Sequence, residues 1–297
     1  MGKITKDSLG DRQKQYEIAS ETFLVPKMPI IIRIDGKAFH TYTKGMKKPF
    51  DSVLGTAMKK TMQALCKDIH TCVFGYTQSD EITLILRLPD RIKSQAYMNR
   101  RVQKITSLTA SKATKYFNKF FTEQVSNYHS TIFAKGHDII ENCEDTDVEN
   151  QIKAYKEALK DDFKLLNVYT KKIGDAEFDS RAFNVPEWDC INNIIWRQQD
   201  AIRNSVEMVG HANFSANQLH KVNVEGIKKL LIEEKGLDWE TDFTTYQKRG
   251  ACCYKESEYR VTRSNEKVLR NFWYIDENMP IVQDNREWFS KITGLIE

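Results

Sequence analysis

The chain has 297 residues, a mild net charge of +4, 40% hydrophobic and 29% charged residues, a balance that excludes disordered, collagenous and membrane-embedded classes. No apolar run reaches the roughly 18 residues that cross a bilayer, and the opening MGKITKDSLGDRQKQYE carries no apolar signal-peptide core, so a cytoplasmic protein without a membrane partner is expected. The six cysteines (Cys66, Cys72, Cys143, Cys190, Cys252 and Cys253) form no C-x-x-C pair and no zinc-spaced group with histidine, which points to reduced thiols and away from a structural zinc.

In chain order, residues 11–21 read as a short helix before Pro26 and Pro29. Residues 30–36, IIIRIDG, are a β-branched run apolar on both faces, the pattern of a covered central strand. Arg33 interrupts it and must meet a partner or ligand, while Gly36 allows a sharp turn and a close backbone approach. Ser52 is the expected N-cap of a helix on which Leu54, Met58, Met62, Leu65 and Ile69 recur at helical spacing. Residues 73–88, VFGYTQSDEITLILRL, read as a β-hairpin whose tip carries Asp80 and Glu81 in place of a turn glycine. Strand alternation sends those two acids to opposite faces.

A long helix is expected over residues 92–121, with Met98, Val102, Ile105, Ala113, Tyr116 and Phe120 on its buried side. Arg101, Lys104, Lys112, Lys115 and Lys119 line it at helical spacing. Such a stripe is either a solvated face or, being of one sign, a surface that anions neutralise. A further helix over residues 148–166, a short strand over 182–185, helices over 188–208 and 224–234, and a strand-like segment over 249–275 complete the pattern. Without a clear linker, the chain reads as a catalytic region over residues 1–215, with an insertion near 122–177, and a mixed α/β extension over 216–297.

The order strand–helix–strand–strand–helix–strand gives an α+β fold, the ferredoxin-like split βαβ arrangement, an antiparallel sheet with helices on one face. Asp35 then ends the first strand close to Asp80 at the hairpin tip. Two carboxylates at one sheet end suit magnesium, which binds through one or two carboxylates, substrate phosphates and water. Two ions about 3.5–4 Å apart would activate an attacking hydroxyl and steady a triphosphate. The Gly36 carbonyl could assist, and Arg33, Lys48, Arg101, Lys104 and Arg181 are candidates to neutralise phosphate charge. The pattern supports metal-dependent nucleotidyl chemistry without choosing among a polymerase, a cyclase and a phosphohydrolase.

Four motifs in order sharpen this. R-I-D-G-K-x-F-H at residues 33–40, Y-x-Q-S-D-E at 76–81, F-D-S-R at 178–181 and D-C-I-N-N at 189–193 resemble the tRNA(His) guanylyltransferase superfamily, and the opening D-S-L-G-D-R-x-K-x-Y-E at 7–17 resembles its guanylyltransferase-like branch. The resemblance implies a polymerase-like palm and 3′-to-5′ nucleotide addition to the 5′ end of tRNA. ATP would adenylylate the 5′-monophosphate, and the 3′-hydroxyl of an incoming NTP, GTP included, would then attack. It further implies Asp35 and Asp80 as ligands of two Mg2+ ions, with Gly36 assisting and Glu81 and Ser79 in support. Arg33, Lys37, Ala38, Phe39, His40, Lys48, Arg101 and Lys104 would bind nucleotide and triphosphate. Lys112, Lys115, Lys119, Arg181, Asn192 and Asn193 would bind tRNA, and a homotetramer is implied. Cys190 stands where the family's H-I-N-N element has histidine, which favours template-dependent 5′-end repair over addition of one guanosine to tRNA(His). A palm-type nucleotide cyclase and a catalytically silent tRNA-binding module are the alternatives. Residues 122–177 and the C-terminal part inherit nothing from the resemblance. His40 is expected to be structural more often than catalytic, Cys190 to be packed, and Trp188, Trp196, Trp273 and Trp288 to lie in the core or at an interface, with stacking on bases the alternative.

Overall fold

Residues 8–88, 94–142, 147–261 and 265–295 are described in the structure, a computed structural model of the chain. Cys143 and the expected helix start at Ile92 lie outside them. After α1 (Leu9–Ala19), β1 (Ile30–Gly36) is buried along most of its length, and a short α2 (Phe39–Tyr42) follows. Helix α3 (Ser52–Asp68) is capped one residue earlier than the sequence suggests, because the Asp51 carboxylate accepts the Leu54 N–H at 2.9 Å and Ser52 is already helical. Strands β2 (Cys72–Gln78) and β3 (Glu81–Leu86) form the expected hairpin.

Helix α4 (Val102–Glu141) starts later and runs about twenty residues further than the periodicity indicated. A 3-10 turn at Tyr97–Arg100, with Met98 and Asn99 in left-handed conformation, precedes it. Its buried stripe is Ile105, Thr109, Ala113, Phe117 and Phe121, so Tyr116 and Phe120 sit one position off the core line. The expected single helix over 148–166 is two, α5 (Val148–Ala158) and α6 (Lys160–Thr170), broken at Leu159, whose side chain is buried. Both pack on the far half of α4, where the Asp162 carboxylate accepts the Tyr128 hydroxyl at 2.6 Å and Lys135 at 2.9 Å. Strand β4 (Phe178–Asn184) returns to β1, and α7 (Cys190–Asn213), α8 (Val224–Lys235) and α9 (Thr245–Arg249) lead to β5 (Ala251–Val261), β6 (Lys267–Asp276) and α10 (Arg286–Thr293).

The six strands form one antiparallel sheet in the order β4-β1-β3-β2-β5-β6, so β1 and β3 are central neighbours and the C-terminal strands continue the same sheet. One face buries Ile30, Ile32, Ile34, Ile82 and Leu84 against α3 and α4. The expectation of helices on one face holds for that pair alone. The opposite face is also covered, since Phe74, Tyr76, Ile85 and Tyr254 pack against Cys190, Ile191 and Ile194 of α7 and Phe289 of α10. A second apolar surface on the sheet had to be covered, and the chain after β4 supplies the cover. No helix among the described residues is long and apolar enough to cross a membrane.

Candidate active site

Asp35 lies near the end of β1, where antiparallel register sets it opposite Glu81 of β3 on one side and Asp179 of β4 on the other. Directly opposite residues of an antiparallel pair share a face, so Asp179, Asp35, Glu81 and Gln78 form one polar row across four strands. The register partner of Asp35 is thus Glu81, while Asp80 lies beside them at the hairpin tip. Asp80 sits in the two-residue turn before β3, and its carbonyl accepts the Gly36 N–H at 3.2 Å. Ser79, at φ 50, opens that turn in the left-handed region and donates its hydroxyl to the Asp80 carboxylate at 2.9 Å. A non-glycine residue there costs on the order of 1–3 kcal/mol, strain that the surrounding sheet must hold. Gly36 admits no side chain, for a Cβ would lie 2.3 Å from the Phe39 ring.

The electrostatics follow from this crowding. Burial, then the Asp179 charge, pushes the Asp35 carboxyl above its ordinary value. Burial, with Asp35 adding to it, raises Asp80. Burial also raises Glu81, against the pull of Arg197 and Arg33. A cluster of oxygen donors that resist carrying their full charge together fits a hard divalent cation, and no nitrogen or sulfur donor competes in the row. Among the described residues, His137, Asp138 and Glu141 are the group of three side chains whose ligating atoms all lie within 4.8 Å; they are exposed, near the end of α4. Among the described residues, no three side chains at the sheet end bring their ligating atoms that close, so the carboxylates there do not make a closed cage.

Arg197 escaped the sequence reading. It comes from α7, is 5% exposed, and sets its Nε 2.8 Å from Glu81, a charge contact off hydrogen-bond alignment, while its terminal nitrogen donates to Asp200 at 2.5 Å. The i, i+3 spacing of Arg197, Asp200 and Arg203 was a visible sign of an ion-pair ladder. Its reach to a strand more than a hundred residues earlier was not. Glu81 is thereby a tethered carboxylate.

Beside the turn opens a cleft of about 700 Å³. Gly36, Ala38, Phe39, His40, Lys47, Lys48, Ser79 and Asp80 line one side, and Asn204, Ser205 and His211 of α7 with Lys248 of α9 line another. The cleft thus collects seven sequence-identified residues and adds α7 and α9, which the sequence did not single out. Lys37 points away, exposed and paired with Glu177 at 2.6 Å. Arg33 and Arg181 occupy the next row inward on the α7 face, opposite each other on β1 and β4.

Arg101 and Lys104 are not brought to the cleft. Helix α4 begins beside residues 21–24, where Arg101 pairs with Glu21 at 3.2 Å, and passes Phe39 only at Phe117. The thirteen residues from Lys104 to Phe117 span about 20 Å of helix. The single-sign stripe is also partly neutralised internally, for Lys112 meets Asp68 at 2.7 Å and Lys119 approaches Glu123 at 3.9 Å, while Lys115 stays exposed. Asn192 donates to Asp189 at 2.8 Å and Asn193 is half-buried on the same helix. Cys190 is buried as expected, its thiol pushed up to about 12 by burial and then by Glu187 and Asp189. Trp273 and Trp288 are half-buried, whereas Trp188 and Trp196 stand exposed and so lie outside the core.

The chain is similar to known proteins. The profile of the family described as "Thg1: tRNAHis guanylyltransferase" matches residues 10–186. A bacterial tRNA(His) guanylyltransferase (Thg1)-like protein solved in complex with ATP is 35% identical, with a TM-score of 0.70 over 97% of this chain and 100% of that one. A structure of a bacterial protein so described in complex with GTP gives 33% identity and a TM-score of 0.69 over the same shares. The tRNA(His) guanylyltransferase of Candida glabrata is 33% identical over 119 residues, a match spanning 36% of this chain and 46% of that enzyme.

Proposed function

The chain belongs to the tRNAHis guanylyltransferase family, and on that premise we propose that it is a nucleotidyltransferase extending the 5′ end of a tRNA in the 3′-to-5′ direction, templated by the opposing strand. The observation that carries this reading is the meeting of Asp35, Gly36 and Asp80 at one sheet end, with Asp80 and Gly36 on the wall of a cleft that also presents Lys47 and Lys48. The strand order β4-β1-β3-β2, with α3 and α4 on one face, supports a polymerase-like palm.

Asp35 and Asp80, with the Gly36 carbonyl, would hold two magnesium ions. When bound, they supply charge neutralisation and Lewis-acid polarisation of the phosphoryl oxygens. Lys47 and Lys48 would balance the triphosphate in the cleft, where ATP for activation and the incoming GTP or other NTP bind. Ser79 fixes the Asp80 carboxylate, and Glu81, tethered by Arg197, holds the hairpin tip in register. The residues need only position and neutralise, since in-line attack of a nucleotide 3′-hydroxyl on an activated 5′ phosphate requires no protein nucleophile. Assembly as a homotetramer in the cytoplasm is part of the same proposal.

Addition of a single guanosine to tRNA(His) is the second reading, favoured by the named Candida glabrata relative and by Asn192 and Asn193. Both readings are tested by incubating the protein with Mg2+, ATP, labelled NTPs and 5′-monophosphorylated tRNAs lacking their first nucleotide. Incorporation that follows the opposing base supports repair. Guanosine addition regardless of that base supports the second reading, and cyclic product formed without RNA would overturn both.

A further inference from the structure

Trp196 is 49% exposed although it sits on the helix that covers the sheet, so the core does not account for it. The Arg197 guanidinium lies 4.2 Å from its ring centroid and the Arg33 guanidinium 5.8 Å. Half of the residue is therefore open to solvent beside two guanidiniums, of which Arg197 is already paired with Glu81 and Asp200. Arg33 is also directly opposite Arg181 across β1 and β4. Like charges in that relation repel, an effect that Asp35 offsets for both, Glu81 for Arg33, and Asp179, at 3.9 Å, for Arg181. An anion set between the two guanidiniums would remove the repulsion.

The position of this group is as informative as its composition. Arg33 and Arg181 lie two residues along their strands from Asp35 and Asp179 on the same face, about 7 Å away. Trp196 does not line the cleft; the cleft meets α7 from Ala201 onward, five residues or about 7.5 Å along the helix. The carboxylates thus have the cleft on one side and an arginine–tryptophan surface on the other.

We propose that Trp196, Arg33 and Arg181 form a subsite for one nucleotide of the acceptor RNA, with its base stacked on the indole and a phosphate held between the two guanidiniums. The proposal rests on the reading of the protein as an enzyme acting on an RNA 5′ end, and it assigns the RNA and the nucleoside triphosphate to opposite sides of Asp35. An aromatic face flanked by arginines suits a nucleobase of any identity, because every base has a π-face and the phosphate supplies the charge complement. The subsite therefore adds affinity with little sequence preference, leaving base selection to the opposing strand.

Trp196→Ala, Trp196→Phe and Arg181→Gln are compared with the parent protein for binding of a 5′-monophosphorylated tRNA lacking its first nucleotide, and separately of ATP. Trp196→Ala is expected to weaken tRNA binding roughly 5- to 150-fold, the range of one lost base stack, with ATP affinity unchanged and Trp196→Phe intermediate. Arg181→Gln is expected to lower the slope of log affinity against log salt by about one. Unchanged tRNA affinity in Trp196→Ala overturns the subsite, as does loss of tRNA and ATP binding together. Failure of the parent itself to bind tRNA while it binds ATP would instead overturn the RNA-end reading beneath it.

Discussion

Strand β1 separates two kinds of surface on one backbone. Ile30, Ile32 and Ile34 face α3 and α4 in an apolar layer, whereas Arg33 and Asp35 face the α7 side in polar rows. The apolar face follows from area alone, for each buried isoleucine contributes about 1.5–3 kcal/mol whichever hydrophobic neighbour it meets. The polar face is exacting. Burial holds Asp35, Asp80 and Glu81 above their ordinary values, with Asp179 adding to Asp35 and Asp35 adding to Asp80, so a cation or an arginine beside them favours their charged forms.

That contrast can be broken or sharpened at four positions. The largest effect is expected at Asp80. Asp80→Ala should lower nucleotide addition by more than about a thousandfold and should not lower the melting midpoint measured by calorimetry, because it removes a charge that burial and Asp35 disfavour. Retained activity would remove Asp80 from the clamp. Arg197→Ala comes next. It strands Glu81 and should cost about 3–5 kcal/mol in urea unfolding, whereas the paired change Glu81→Gln with Arg197→Met should recover most of the loss. A single variant as stable as the parent would mean that the ion pair does not hold the hairpin tip.

On the apolar face, Ile32→Val should cost about 0.5–1.5 kcal/mol and leave activity per folded molecule unchanged, since the 0%-exposed side chain meets only core. A fall in specific activity at full stability would show that the two faces are not independent. The smallest effect is at the rim of the same layer, where the Lys112 hydrogen bond holds the Asp68 carboxyl below its ordinary value. Stabilisation from a depressed acid is complete above its unfolded value of about 3.9 and is lost as pH falls through the folded value. Asp68 is largely solvated, so Asp68→Asn should destabilise by less than about 1 kcal/mol near neutrality. Unfolding curves of the two proteins should coincide once the parent's Asp68 carboxyl is protonated in both folded and unfolded states.

Much of the site was legible locally. The run at residues 30–36 ends in Asp35 and Gly36, and the broken apolar run at 73–88 announced a hairpin with acids at its tip. Its turn chemistry was misread by one position, because Ser79 in the left-handed region closes a two-residue loop that leaves Asp80 in the turn and makes Glu81 the first strand residue. The basic stripe of α4 is visible in the sequence, but the end of the sheet at which the helix begins is not. A helix that follows β3 starts at the sheet end away from Asp35, which is why Arg101 and Lys104 fall far from the cleft.

Period and turn chemistry in the sequence alone determined that β1, the hairpin and α3 exist, which residues they bury, and that Asp35, Gly36 and Asp80 belong to one end of a sheet. The elements and their buried faces are short-range consequences of side-chain alternation and backbone preference, each complete within a dozen residues, while the shared sheet end follows from the order of the elements. Only the tertiary structure decided that Glu81 rather than Asp80 is the register partner of Asp35, that Arg197 closes on Glu81, and that α7 and α9 wall the cleft. Those facts depend on strand register and on the docking of a helix more than a hundred residues away. Such choices are set by the burial of whole faces, and no local window of sequence contains them.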